Sequence, residues 1–353
     1  MRWSPAEERP LSPPGDTTQT TDMRDYQTLV ETVLTTGGYK PNRTAVDTIS
    51  TFHYEYELDL AAGFPLLTTK EMYWESMLYE FFWYLSGEEH IRELRKHTSI
   101  WDEWADGDGH LQTAYGRFWR RYPIPDPSNR LPGEAWPDAD HPAVNDEGTF
   151  DQIAHVLNSL EERPHSRRIV VNAWHPANAA VSKLPPCHYT YTFNVQGETL
   201  NLKLEQRSAD IALGVPFNIA AYSLLLLTMA AQVGYEPGIF AHSLTDAHIY
   251  CGTGERGAWY DDHLEEVQAR VAAVDEPEGY LEVRDWLTSV APAEGEGEAG
   301  FDHIPNLLEQ LSRQPRSLPT VEVADKPLDD LGVDDVTLSG YDPHPRLHFA
   351  VAE

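Results

Sequence analysis

Residues 189–204 constrain the fold of this chain more than any other stretch. Tyr189, Tyr191, Phe193 and Val195 alternate with Thr190, Thr192 and Asn194; Gln196-Gly197-Glu198 carries a turn signal; and Leu200, Leu202 and Leu204 alternate on the return. Apolar residues at every second position put one side of each strand against a core, so the pattern predicts a β-hairpin with one buried face. A short turn at Gly197 places Gln206, Arg207 or Ser208 opposite Cys187, depending on its length. A cation therefore stands close to a cysteine.

Downstream, Asp210 and Leu213-Gly214-Val215-Pro216-Phe217-Asn218 lead into the apolar run Ile219 to Val233. Pro216 suits a helix start, and the run is too short and too interrupted (Ser223, Thr228, Gln232) to span a membrane, so it predicts a buried core helix. Upstream, the spacing of Tyr26, Leu29, Val30, Val33 and Leu34 predicts a helix over 25–35. The alternation of Tyr54, Tyr56, Leu58 and Leu60 predicts a strand over 48–60. Residues 69–85 read as a second helix, in which Glu80 is surrounded by Met77, Phe81, Phe82, Trp83 and Tyr84. Residues 126–148 and 252–302, rich in Pro, Gly and acidic side chains, read as insertions, the second holding a helix-like piece over 259–274. Residues 1–22 lack apolar periodicity and are expected to be a flexible extension, which leaves 23–353 as one domain.

Charge limits the partners. The chain has 353 residues with 26 Lys and Arg against 57 Asp and Glu, a formal charge of −31, and ten tryptophans. So many aromatic residues belong to a folded protein, and so negative a surface repels phosphate backbones and anionic lipid. Nucleic-acid and membrane partners are not expected; only a local basic pocket could hold an anion. Six of the cations are lysines and the rest arginines. The pattern suggests adaptation to salt, since at molar ionic strength the Debye length falls to about 3 Å and carboxylate repulsion is screened; the alternative is an ordinary acidic enzyme. Two cysteines and no apolar leader segment suggest a reducing cytoplasm.

The chemistry centres on Cys187. Its reactive form is the thiolate, which a fixed guanidinium favours, making Cys187 a candidate nucleophile; the bland alternative is a half-buried strand cysteine. Cys251 has no comparable neighbour and reads as structural. Asn218 offers an acceptor and a donor that match N3–H and O4 of uracil, whereas cytosine presents the reverse. The alternative is that Asn218 caps the helix.

Together, Pro185-Pro186-Cys187-His188, Gln206-Arg207-Ser208, Leu213-Gly214-Val215-Pro216-Phe217-Asn218-Ile219-Ala220 and Asp246-Ala247-His248-Ile249-Tyr250 resemble the folate-dependent thymidylate synthase family. Asn42-Arg43-Thr44, Gly63 to Lys70, Trp101-Asp102-Glu103-Trp104, Tyr115-Gly116, Ser166-Arg167-Arg168 and Tyr341-Asp342-Pro343-His344-Pro345 extend the resemblance over nearly the whole ordered chain. It implies an α+β fold with a large mixed β-sheet covered by helices, paired as a homodimer through the sheet face. The implied activity is methylation of C5 of dUMP, with 5,10-methylenetetrahydrofolate as one-carbon donor and reductant and no metal.

The resemblance also implies roles. Cys187 would add to C6 of the pyrimidine, with Glu80, Tyr115, Asn218, Arg207, His188 and Asp210 as the other catalytic residues. Arg43, Arg207 and Ser208 would bind phosphate, joined by Arg167 and Arg168 from the partner subunit. Gln206, Asp210, Asn218, His248 and Tyr250 would complete the nucleotide site. Ile100, Trp101, Asp210, Leu213, Gly214 and Phe217 would hold the folate, and the segment carrying Leu347, Phe349 and Val351 would close over it. The alternative for that segment is a permanently docked edge strand. Glu71, Glu205, His175, Thr245 and Glu353 depart from the family's usual residues, and Glu71 bears on the grip on the folate glutamate tail. Competing functions are a pyrimidine hydroxymethylase of the same family and a non-catalytic nucleotide-binding protein.

Overall fold

The computed structural model describes residues 23–42, 45–111 and 115–351. The expected extension over 1–22, the phosphate candidate Arg43 and the terminal Glu353 lie outside the described residues. In chain order the elements are α1 (Arg24–Thr36), β1 (Gly38–Lys40), β2 (Val46–Asp59), α2 (Trp74–Ser86), α3 (Tyr115–Arg120) and α4 (Gln152–Glu162). Then come β3 (Val170–Asn172), α5 (Pro176–Ala179), β4 (His188–Gln196), β5 (Thr199–Gln206), β6 (Ala209–Asp210), α6 (Gly214–Val233) and β7 (Glu236–Thr253). The last are α7 (Gly254–Ala272), α8 (Gly279–Val290), α9 (Ile304–Leu311), β8 (Thr320–Val323) and β9 (Val336–Ser339).

Seven strands form one mixed sheet in the order β1-β2-β7-β5-β4-β3, with β6 pairing alongside β7. The β4–β5 hairpin is antiparallel, while β5 and β6 run parallel to β7. Along β5, Leu200, Leu202, Leu204 and Gln206 are buried and the intervening residues half-buried, as expected of a sheet with one face packed. The packed face meets α6, whose buried residues run from Val215 to Ala230. α6 begins at Gly214 rather than Ile219, so that, against the expectation from the shorter run, it is long and apolar enough to cross a membrane; 72% of its most apolar window is nevertheless buried inside the protein, as expected of a core helix.

The hairpin turn is Gly197-Glu198, and Gly197 takes φ +64°, where a Cβ would be strained. From Gln196↔Thr199 to Thr190↔Glu205 the register is regular; it then shifts, so that His188 rather than Tyr189 faces Gln206. One extra residue in β4 makes a β-bulge, and Arg207 N–H donates to Cys187 O at 2.9 Å. Of the three residues that hairpin geometry allowed opposite Cys187, the bulge selects Arg207.

Two local expectations need correction. The helix expected over 69–85 begins only at Trp74. Tertiary contacts hold 67–72 in an irregular path instead. Lys70 Nζ donates to Ala212 O, Gln310 Nε2 to Thr69 Oγ1 at 2.9 Å, and the Tyr341 hydroxyl to Leu67 O at 2.8 Å while accepting from Met72 N–H at 2.9 Å. Asn218 is not a helix cap: it is the fifth residue of α6, and the backbone ahead of the helix is held by Asp210 Oδ1, which accepts from Ala212 N–H and Leu213 N–H at 2.9 and 3.2 Å.

Residues 252–302 leave and rejoin the sheet at one point, where Cys251 bridges Asp302. Between them, α7 packs on α1 and on β7, and α8 on α9. Their root is a buried ion pair in which Arg256 Nε and Nη2 donate to Asp302 Oδ2 at 2.8 and 2.5 Å, with the Tyr260 hydroxyl at 2.7 Å. Cys251 is fully buried beside it, and burial pushes its thiol pKa far up. Residues 126–148 run as turns with a short 3-10 segment at Pro127–Asn129. The C-terminal segment is docked without forming the edge strand considered above: Ala350 N–H donates to Gly300 O at 2.9 Å, and Phe349 is buried.

Candidate active site

Cys187 sits just ahead of β4, half-buried and outside any disulfide. Arg207 wraps around it. Its Nε donates to Pro186 O at 2.9 Å, its Nη2 to Pro185 O at 2.6 Å, and Nη2 lies 3.9 Å from Cys187 Sγ. Two carbonyl anchors thus hold the guanidinium beside the sulfur, and the ring of Trp174 flanks it at 5.4 Å. From the other side, the Tyr115 hydroxyl accepts from Cys187 N–H at 2.8 Å. The Tyr115 ring stacks on His188 at 3.8 Å. Burial keeps Tyr115 protonated, raising its pKa well above the ordinary phenol.

An aromatic wall links this centre to Glu80 on α2. Tyr84, one turn on, lies 5.3 Å from Tyr115 and 6.0 Å from His188, ring centre to ring centre. Glu80 Oε1 accepts from Trp101 Nε1–H at 2.7 Å. Burial raises the Glu80 pKa to about 7, against the opposing hydrogen bonds from Trp101 and Tyr84. The apolar neighbours in the sequence had indicated that environment. His188 Nδ1 is 2.7 Å from the Tyr222 hydroxyl, and burial lowers its pKa to about 3, so the ring is neutral.

Across the sheet, Asn218 Nδ2–H donates to Gln206 Oε1 at 3.0 Å, and Gln206 Nε2–H donates to Ser208 O at 3.0 Å. On β7, His248 Nδ1–H donates to the backbone oxygen of Asp246 at 2.8 Å, and the Tyr250 ring lies 5.1 Å from His248. Leu213, Gly214 and Phe217 are half-buried at the first turn of α6, with Asp210 just before them; Ile100 and Trp101 are half-buried as well. The fold therefore gathers Cys187, Arg207, Tyr115 and His188 in direct contact, and Glu80 with Trp101. Arg167 and Arg168 are exposed, on the segment between α4 and β3. Among the described residues, no group of three or more His, Cys, Asp or Glu is placed to hold a metal ion.

A family model described as thymidylate synthase matches residues 24–353. The chain belongs to the thymidylate synthase family. A curated protein from Haloferax volcanii, named thymidylate synthase, is 61% identical over 328 residues, covering 92% of this chain and 95% of the relative.

Seen as a family member, the chain's departures acquire partners. Glu71, where the family commonly has arginine, accepts from Arg346 Nε and Nη2 at 2.9 and 3.0 Å. His175 caps α5, Glu205 lies 3.4 Å from Lys203 Nζ, and Thr245 is exposed. Sequence reasoning missed Tyr84, Tyr222, Tyr56 and His242 as parts of the site. A detectable signal existed for two of them: His242 follows the apolar Ile239-Phe240-Ala241 of β7, and Tyr222 is the one tyrosine in the largely apolar α6.

Proposed function

We propose that this chain converts dUMP to dTMP by reductive methylation, with Cys187 as the nucleophile. The observation that carries the reading is the placement of Cys187 Sγ 3.9 Å from an Arg207 guanidinium that two proline carbonyls immobilise. A soft thiolate adds to C6 of the pyrimidine, and C5, otherwise a poor nucleophile, becomes enolate-like. Negative charge then develops on O4. Asn218 donates one Nδ2 hydrogen to Gln206, so its second hydrogen can serve O4 while its Oδ1 accepts from N3–H.

Glu80, with a pKa of about 7, can hold or release a proton near neutral pH, the range useful for general acid–base work. Tyr115, kept as a phenol, assists removal of the C5 proton, and neutral His188 orders water beside it. Arg207 turns its remaining edge to the phosphate with Ser208 and Arg43, while His248 Nε2 and Tyr250 receive the deoxyribose hydroxyl. A protein at −31 needs guanidinium forks to hold a dianion.

The folate pocket fits the chemistry of its ligand. Asp210 Oδ1 is tied to two backbone N–H groups, which directs Oδ2 toward pterin N–H donors, and Trp101, Leu213 and Phe217 offer half-buried apolar surface beside it. 5,10-Methylenetetrahydrofolate supplies the one-carbon unit and the hydride that reduces it. Two copies pair through the sheet face that helices leave uncovered, where Phe52 is 83% exposed, and Arg167 and Arg168 reach the partner's phosphate site. Residues 23–353 act as one catalytic domain in the cytoplasm, with an acidic surface suited to salt. Incubation with dUMP and methylenetetrahydrofolate tests the reading. The expected product is dTMP; a 5-hydroxymethyl nucleotide would make the chain a hydroxymethylase, and nucleotide binding without turnover a binding protein.

A further inference from the structure

We propose that His242 and Tyr56 are specificity-determining positioning residues, which hold Gln206, and through it Asn218, in the one amide orientation that accepts uracil. The inference rests on the reading of Asn218 as the base contact. It starts from a single carbonyl. Ser208 O can only accept, so the Gln206 atom 3.0 Å from it is Nε2, and Gln206 Oε1 must face the other way. There Oε1 lies 2.9 Å from His242 Nε2 and 3.0 Å from Asn218 Nδ2. An amide oxygen has two lone pairs and no proton. Both neighbours therefore donate: His242 carries its hydrogen on Nε2, and Asn218 gives Gln206 one Nδ2 hydrogen, which leaves its second Nδ2 hydrogen and its Oδ1 for the pyrimidine position.

The chain of polarity has one more link. His242 is fully buried, and burial lowers its pKa to about 3, so the ring holds one proton at neutral pH. With that proton on Nε2, Nδ1 is an acceptor, and the Tyr56 hydroxyl 2.7 Å away donates to it. The fold sets the pair: Tyr56 and His242 are register partners on β2 and β7, Leu204 of β5 flanks His242 on the other side, and the Phe240 ring packs 5.4 Å from it. A reversed Asn218 would point Oδ1 at Gln206 Oε1 and expose a donor pattern suited to cytosine. His242 and Tyr56, buried on the central strands of the sheet, would thus bias base choice without touching the base.

The test measures dUMP and dCMP dissociation constants by titration calorimetry on the full chain. His242→Phe keeps a ring but removes the donor to Gln206, so the preference for dUMP should fall by about 10-fold, the scale of one misdirected buried hydrogen bond. His242→Gln restores a donor near the Nε2 position and should recover most of that preference, which a purely packing role would not produce. An unchanged preference in a folded His242→Phe protein, or a glutamine variant no better than phenylalanine, overturns the proposal. Should His242→Phe not fold, imidazole ¹⁵N spectra of the wild-type protein decide. A protonated Nε2 with bare Nδ1 on His242 is required, and the opposite tautomer overturns the proposal. If the wild-type protein showed no preference for dUMP while this tautomer was present, the base-contact reading would be the part that failed.

Discussion

The guanidinium of Arg207 stands 3.9 Å from the sulfur of Cys187, across a strand pair whose β-bulge aligns the two residues. Arg207 reaches it with both Nε and Nη2 tied to proline carbonyls, a fork that lysine cannot reproduce. Cys187→Ala should bind dUMP and make no dTMP. Arg207→Lys should lower kcat/KM by at least about 100-fold, through loss of the thiolate's neighbour and the phosphate contact together. Near wild-type turnover in Cys187→Ala would exclude covalent addition by this residue.

Glu80 couples activity and stability to pH in opposite senses. Its folded pKa, about 7, lies above the ordinary carboxylate value of 4.5, so the folded state is penalised as pH rises from 4.5 through 7. Glu80→Gln should abolish most turnover yet stabilise the protein above pH 7 by on the order of 3 kcal/mol, with the gain vanishing toward pH 4.5. Denaturation midpoints of the two proteins across that range check the sign, and an unchanged difference at every pH would contradict it.

Acid should act through His188 and His242. Both are buried and neutral, with pKa values lowered to about 3 from 6.5, so the unfolded chain takes up protons that the folded protein cannot. The contribution of these two histidines is fully present above pH 6.5 and is lost as pH falls toward 3. Replacing His242 by glutamine should flatten that slope in acid unfolding curves.

Charge predicts a response to salt. With −31 charges and only six lysines, the chain should gain thermal stability and pair more tightly as KCl rises into the molar range. A melting temperature that is flat or falls with KCl would refute salt adaptation, and sedimentation measured alongside reads the pairing.

The C-terminal segment is tied through His303 to the neighbourhood of Asp210. His303 Nε2–H donates to Ala350 O at 2.9 Å, and its Nδ1 faces Asp210 Oδ1 at 4.0 Å. Phe349 lies buried against His303 and over Lys70 Nζ. Deleting residues 351–353 should leave dUMP affinity nearly intact, weaken the ternary complex with folate and cut dTMP formation, since an open site admits water. Glu353→Val should remain active. Full activity after truncation would show that closure does not need these residues.

What the sequence determined by itself was periodic or short in range. Alternation over 189–204 gave the hairpin, the apolar run after Pro216 gave the core helix, and the neighbours of Glu80 along its helix already placed that carboxylate among apolar side chains, because one turn of helix brings them together. Motif blocks gave the family. Only the tertiary structure decided the bulge at 188–190, which selects Arg207 as the partner of Cys187, and the late start of α2, where Lys70, Thr69 and Met72 bond to Ala212, Gln310 and Tyr341. It also turned Asn218 from a possible cap into the partner of Gln206, whose amide oxygen in turn meets His242, itself bonded to Tyr56. The physical reason is common to all three. Burial face and helical neighbours follow from local geometry, whereas a strand bulge, an irregular backbone path and an amide's orientation are settled by donors and acceptors supplied from residues remote in sequence.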